Sequence, residues 1–416
     1  MTPRGCLTLL PLGAEKKRWI EDRLLDVFKR WGFQEIVTPI FEYLDILSLG
    51  IGSELIEKGY KLTDRSTGRL MILRPDITPQ VARIAATALS SIRPLRLCYA
   101  LNVFRYEEEY SKQREIHQVG TELIGLKEPE ADAEIIAMAV EAIKTLQIKH
   151  CSVVVRQTGY IKGFFDGQGY DTGTVNALKK AIEKRDSSRI QELAGMKAIS
   201  KKQGKRFLEI MELFGDEEVF KKAERLVESR VSEDALRNLR DVYGFLKKYG
   251  LSDFISFDLG ELMGFDYHTG VSFAIFIKDF GYEIGGGGRY DQLLERFGSQ
   301  CPATGFAFDI ERVMEAMQNQ GTGGDIGRGD FIIIDFTKDK TKAIELTKTL
   351  REKGYNVTRD IIRRNLDKSI SYAKEVGIKK AIVLGSRGLK DADALIIGIE
   401  TGQKEKVELR KIMERY

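Results

Sequence analysis

Over roughly the first 320 residues, the strand-like runs of this chain do not alternate with helices, which excludes a doubly wound parallel sheet. Trp19, Ile20, Leu24, Val27, Phe28 and Trp31 recur at helical spacing and predict an amphipathic helix near residues 15–31. Gly32 ends it, and residues 33–39 read as a strand with Pro39 at the far end. Residues 96–105, 151–156, 272–277 and 282–284 supply further strands. One helix and several strands without regular crossovers imply an antiparallel sheet of the α+β class.

Two stretches depart from that texture. Residues at about 160–250 carry charged amphipathic helices, with Asp216 as an N-cap and Val219, Phe220, Ala223, Leu226 and Val227 as one apolar stripe. They read as a helical insertion in a core of residues 1–320. The glycine-rich run 321–329 resists packing and reads as a linker. Beyond it, a strand (331–336), a helix (340–353), a strand (355–358), a helix (366–375) and a strand (381–385) alternate, so residues 330–416 are expected to form a small α/β domain.

Composition narrows the functional classes. The chain has 66 Lys+Arg against 62 Asp+Glu, and a net charge of +4 over 416 residues is too weak to argue for nucleic acid. Cys6, Cys98, Cys151 and Cys301 form no CxxC pair, and their scatter suggests reduced thiols. No apolar run approaches ~18 residues, so no membrane span is expected and a cytoplasmic location is the default. No metal-ligand spacing is present, and neither a metal nor a cofactor is expected.

Several segments carry a family likeness. Thr2-Pro3-Arg4-Gly5 with Leu10-Pro11 resembles the N-terminal strap of class II aminoacyl-tRNA synthetases, and residues 32–42 resemble their dimer-forming segment. Phe104-Arg105-Tyr106-Glu107 with Arg114-Glu115-Ile116-His117-Gln118 resembles their ATP-gripping strand-loop-strand. Gly305-Phe306-Ala307-Phe308-Asp309-Ile310-Glu311-Arg312 resembles their final strand-helix segment. Leu262-Met263-Gly264-Phe265-Asp266-Tyr267-His268-Thr269-Gly270 and the Gly285–Asp291 run resemble the histidine-binding segments of histidyl-tRNA synthetases. Each motif is common alone; their order makes the likeness specific. Within it, Leu73-Arg74-Pro75-Asp76-Ile77-Thr78-Pro79-Gln80 together with Tyr267-His268-Thr269-Gly270 is similar to the regulatory subunits of ATP phosphoribosyltransferase.

That resemblance implies a class II synthetase-like antiparallel core with a helical insertion and a C-terminal anticodon-binding-like α/β domain. It implies a histidine pocket in which Glu122 and His268 face the imidazole, Asp76 and Thr78 the α-ammonium, and Gln118 and Arg105 the carboxylate. Tyr267 and Tyr290 wall it. A carboxylate opposite an imidazole gives specificity, because the ring offers a donor and an acceptor. Adenylation is a different matter. It needs positive charge around three phosphates, yet Met263 stands where synthetases have arginine, Glu108 where they place another, and Asp309 where they have glycine. One charge reversed at ~4 Å is worth on the order of 1 to 4 kcal/mol.

Blander readings stand beside these. A lone histidine such as His117 is more often structural. The glycine run 285–288 reads as a hairpin turn or, without a following Lys-Ser/Thr, as a poor phosphate loop. The acidic run 107–109 is by default a solvated loop, and Arg359, Arg363, Arg364 and Lys368 a solvated helix face. The function implied is non-catalytic: a subunit supporting a short catalytic ATP phosphoribosyltransferase chain in the first step of histidine biosynthesis. It would sense histidine as the feedback effector and form a self-dimer within a hetero-oligomer, with tRNA not expected as a partner. The rivals are a histidine–tRNA ligase, supported by the C-terminal domain, and an RNA-binding paralogue.

Overall fold

A computed structural model describes residues 2–106, 113–262, 268–323, 329–362 and 364–416. The chain divides into two compact units, Met1–Thr8 with Lys17–Gly323 and Leu9–Lys16 with Gly324–Tyr416.

The helix Pro11–Arg30, which belongs to the first unit from Lys17 on, buries Ile20, Leu24, Val27 and Phe28 on one face. It stops at Gly32, whose φ of +83° suits the left-handed C-terminal position that glycine adopts without a Cβ penalty. The chain then lays down β1 (Gln34–Glu35), β2 (Phe41–Tyr43), β3 (Lys61–Thr63) and β4 (Leu70–Leu73), followed by β5 (Leu95–Phe104), β6 (Glu115–Ile124) and β7 (Cys151–Gln157). After β8 (Phe214–Gly215) and β9 (Ile255–Asp258) come β10 (Val271–Ile277), β11 (Glu283–Arg289) and β12 (Ala303–Asp309). Nine of these form one sheet in the order β1-β5-β6-β12-β11-β10-β7-β9-β8, and β2-β4-β3 form a small second sheet.

The large sheet is antiparallel from β5 to β7, as expected, but β1 joins β5 and β9 joins β7 in parallel, so its flanks are mixed. Only Gln34 and Glu35 of the expected 33–39 strand enter the ladder. The carbonyls of Thr38 and Pro39 instead accept hydrogen bonds from the buried Arg74, at 2.8 and 3.3 Å, and Pro39 also accepts one from Gln80 at 2.9 Å. The glycine run is neither a turn nor a loop. It is β11, paired on both sides in the middle of the sheet. A Cβ at Gly287 would meet Gly305 O at 2.0 Å, so this close approach of strands admits no side chain.

Between β7 and β9 lie the helices Thr158–Phe165, Thr172–Glu183, Ser187–Gly195, Lys201–Met211, Glu218–Leu226 and Arg230–Lys248. The N-cap of Glu218–Leu226 is Glu217 rather than Asp216; Asp216 instead accepts a hydrogen bond from Glu218 N at 2.9 Å. Val219, Phe220 and Ala223 are buried as the stripe requires.

The second unit contains β13 (Gly329–Asp335), β14 (Val357–Asp360), β15 (Ile378–Leu384), β16 (Asp393–Gly398) and β17 (Lys404–Glu408), in the order β14-β13-β15-β16-β17. Phe331 and Ile333 pack with Ala343, Leu346 and Leu350 of the helix Thr341–Glu352, while Ile332 and Ile334 face Ala373 of the helix Leu366–Glu375. An unbroken apolar run is what a strand covered on both faces requires. The α/β alternation holds through β15. The antiparallel β16 and β17 add to it, and Thr401 to Gln403 form their turn.

Candidate functional site

A cavity of about 380 Å³ opens over the glycine strand. Its floor follows directly from the sheet register: Glu122 opposes Gly305, Gly305 opposes Gly288, Gly288 opposes Ser272, and Ser272 opposes Arg156. Directly opposed residues share a face of the sheet, so small residues span the middle and charged ones stand at either end. A Cβ at Gly305 would lie 1.9 Å from Glu122 Oε2, so glycine there makes room for the carboxyl to lean inward.

Glu122 is 2% exposed, and three hydroxyls converge on it. Thr78 Oγ1 donates to Oε1 at 2.7 Å, Tyr99 Oη donates to Oε1 at 3.4 Å, and Tyr290 Oη donates to Oε2. Burial pushes this carboxyl up to about 8; the hydroxyls oppose that shift and the negative charge of Asp76 adds to it. Burial likewise pulls His268 down to about 4, against its bond to the Arg289 backbone and helped by the charges of Arg156 and Lys162. At neutral pH His268 is therefore a neutral ring, with one nitrogen to donate and one to accept.

Asp76, Thr78, Arg105, Gln118, Glu122, His268 and Tyr290 all line this one cavity, seven of the eight residues singled out from the sequence. The eighth, Tyr267, lies outside the described residues, as do Met263 and Glu107 to Glu109. Thr78 stands beside Glu122 through its hydroxyl, and Arg105 Nε donates to Pro75 O at 2.6 Å. Among the described residues, Gln118 Oε1 and Ser272 Oγ are buried without a hydrogen-bond partner. In a native interior such atoms call for a ligand or water.

Arg289, Tyr290 and Asp291 divide the support between them. Arg289 Nε reaches both oxygens of Asp132, at 3.1 and 3.0 Å, in a buried ion pair behind the sheet. Asp291 N donates to Thr269 Oγ1 at 2.9 Å, which ties the end of the His268 segment to the strand that carries Tyr290.

The other side of the cavity holds Glu283, Asp309 and Arg312. Asp309 caps the helix Ile310–Asn319 through Arg312 N, and its Oδ2 lies 3.3 Å from Arg312 Nε. Arg312 Nη1 also donates to Glu283 O at 2.8 Å and lies 3.8 Å from Glu283 Oε1. Burial raises Asp309, and burial together with the adjacent charge of Asp309 pushes Glu311 up to about 7. His117 sits outside the cavity in a structural role, with Nε2 2.6 Å from Glu21 Oε1 and Nδ1 against Asn102 Oδ1.

Sequence reasoning missed Arg156, Ser272 and Glu283. An arginine or serine within an apolar strand carries no motif, and only the register brings them to this face. All four cysteines are free. Among the described residues no cluster of three His, Cys, Asp or Glu could hold a metal ion, and no helix is long and apolar enough to cross a membrane.

Comparison with known proteins adds the family. The family model described as "Histidyl-tRNA synthetase" matches residues 5–313, and that described as "Anticodon binding domain" matches residues 330–415. An ATP phosphoribosyltransferase regulatory subunit from Geobacter sulfurreducens is 36% identical, with 100% of this chain and 95% of that protein covered. One from Thermoanaerobacter pseudethanolicus is 41% identical over 76% of this chain and 83% of its own length. A crystal structure described as an ATP phosphoribosyltransferase regulatory subunit/histidyl-tRNA synthetase from Bacillus halodurans superposes with a TM-score of 0.80 at 26% identity, covering 92% of this chain and 97% of that one. A histidyl-tRNA synthetase from Nostoc sp. shares the fold, with a TM-score of 0.85 at 20% identity over 100% and 99% of the two chains.

Proposed function

The chain belongs to the family of ATP phosphoribosyltransferase regulatory subunits, built on the histidyl-tRNA synthetase fold, and from that premise we propose that it is the non-catalytic partner of a short catalytic ATP phosphoribosyltransferase chain. It supports that chain in the first step of histidine biosynthesis and holds free histidine as the feedback signal. The observation that carries this reading is the likeness over the whole chain to proteins of that name.

The cavity supports the second half of the proposal. Histidine directs its ring toward Glu122 and His268, with Asp76 as the anion for its cationic groups and Tyr290 as a wall; by sequence Tyr267 belongs with them. A buried carboxyl surrounded by hydroxyl donors favours a ligand that brings a donor or a positive charge. Arg105 and Gln118 complete the polar lining. Adenylation is not supported on the opposite side, where Asp309 and Glu283 already neutralise Arg312, the cation a triphosphate would need. Met263 and Glu108 weaken it further by sequence.

The deciding experiment is co-purification with the short catalytic chain, followed by phosphoribosyl-transfer assays with and without histidine. Activity should rise when this chain is added and fall when histidine follows. Failure of the two chains to associate would count against the reading. A second reading, histidine–tRNA ligase, is favoured by the matches to the synthetase and anticodon-binding models. It requires tight, anticodon-dependent preference for the histidine tRNA in filter-binding assays; weak, salt-sensitive binding equal for any tRNA argues against it.

A further inference from the structure

The connection from β9 to β10 carries His268, and the helical insertion grips it at both described ends. At the first end, β8 of the insertion pairs with β9, with Phe214 opposite Asp258. Leu259 N donates to Leu213 O at 2.9 Å, and a Cβ at Gly260 would lie 2.5 Å from Ile210 O, so the two stretches meet backbone to backbone. The buried Asp258 accepts from Arg185 Nη2 at 2.6 Å and from Gly260 N at 3.1 Å. At the second end, Lys162 Nζ donates to His268 O at 3.3 Å and Thr158 N donates to Gly270 O at 3.1 Å.

Arg185 is an uncommon residue for its place. It follows the C-cap of the helix Thr172–Glu183 with a φ of +50°, where a helix end ordinarily takes glycine. A side chain kept in so disfavoured a conformation points to a use for its reach. Here Nη1 donates to Met211 O and Nη2 crosses to Asp258 on β9. Asp258 in turn stands in a line of alternating charge. Burial raises its carboxyl, Arg185 opposes that, Glu261 adds to it, and Arg156 opposes it again. Glu261 Oε2 holds Arg156 through Nε and a terminal nitrogen, both at 2.7 Å. Arg156 lines the cavity together with His268, whose protonation burial and the charge of Arg156 both resist. Without Arg185, the carboxylates of Asp258 and Glu261 would compete for the one guanidinium left, and Arg156 would lose its fixed place at the cavity wall.

We propose that the helical insertion reads the occupancy of this cavity, with Arg185 as the positioning residue that acts through Asp258 and Glu261 on Arg156, and Lys162 as a second anchor at His268. The proposal rests on the reading that this cavity holds histidine. Such coupling is reciprocal: an insertion that helps to seat a ligand is itself steadied when the ligand binds. Bound histidine is thereby signalled to helices that do not touch it.

The test combines calorimetric titration with histidine and amide hydrogen exchange, both on the full chain. Arg185→Gln should weaken histidine roughly 2- to 30-fold, the range for a change within a coupling network. Arg185→Lys, which keeps the charge, should recover part of that loss. Arg240→Gln breaks an exposed ion pair with Glu224 on the same insertion and should change the affinity by less than about twofold. In wild type, histidine should slow exchange at residues 185 and 210–214, and Arg185→Gln should abolish that slowing. A merely structural Arg185 would lower the melting temperature in the variant yet leave the affinity and the histidine-dependent protection as in wild type; that result would overturn the proposal while leaving histidine binding intact. Should Arg185→Gln fail to fold, Lys162→Met at the other anchor should show a comparable loss, and an unchanged affinity there would overturn the proposal equally. Wild type that does not bind histidine at all would bring down the parent reading as well.

Discussion

On one side of the cavity Glu122 gathers hydroxyls from Thr78, Tyr99 and Tyr290 and still meets no positive charge from them; on the other, Asp309 and Glu283 surround Arg312. The first side keeps polar capacity that a ligand can satisfy. The second satisfies itself, and a polyanion entering there would meet two carboxylates along with the guanidinium. The contrast teaches that one cavity can leave polar groups open at one end while pairing its charges with one another at the other.

The largest effect should come from the scaffold behind the Glu122 side. Asp132→Ala leaves the buried Arg289 with only Asp291, at 3.2 Å, as its ion-pair partner, a loss of about 3 kcal/mol in denaturant unfolding, the low end for a broken buried pair. A loss below about 1 kcal/mol would mean that water reaches Arg289 and that this side is less dry than described.

Next in size is Glu122→Ala, which removes the acceptor at the centre of the hydroxyl cluster. Histidine affinity should fall roughly 5- to 150-fold by calorimetry. Unchanged affinity would place the ligand's ring elsewhere.

A pH profile sharpens the same comparison. Glu122 is raised in the fold to about 8 from the 4.5 of an open chain, so its contribution to stability is complete below 4.5 and is lost as pH rises through about 8. His268 is lowered from 6.5 to about 4, so its contribution is present above 6.5 and is lost as pH falls through about 4. The two slopes oppose one another below 6.5; above it Glu311, raised to about 7, adds to the decline at first, and Glu122 carries it up to about 8. Ligand-free protein should therefore lose thermal stability between about pH 6.5 and 8, and Glu122→Gln should flatten that decline relative to wild type. An identical profile in the variant would show that Glu122 is ionised without cost.

The smallest effect belongs to the self-satisfied side. Asp309→Ala removes the N-cap of Ile310–Asn319 and should cost about 0.5 to 2 kcal/mol. Histidine affinity should move by less than about threefold, because the proposed function seats no part of the amino acid at Asp309. A larger drop would join the two sides into one functional unit.

Much of this was legible in the chain, and the exceptions have physical causes. The helix Leu366–Glu375 stands at the expected bounds 366–375, and the structure adds its cap, Asn365 Oδ1 accepting from Lys368 N at 3.0 Å. The glycine run misled because its reason is long-range: β10 and β12 pass too close on either side for any Cβ. Lys404–Glu408 is not among the expected strands; it is a charged edge strand paired on one side to β16, and such a strand carries no apolar run to mark it. The seven cavity residues came from motif order, which preserves the register that unites them. Arg156 could not be read in that way, because its partner Ser272 is more than a hundred residues away and only the sheet brings them together.

The central claim is that this chain holds histidine without activating it. Histidine-dependent pyrophosphate–ATP exchange by the protein alone tests that most directly. The expected rate is indistinguishable from a no-enzyme background, with histidine binding confirmed calorimetrically in the same preparation. Exchange at the rate of an active synthetase would contradict the account and restore the ligase.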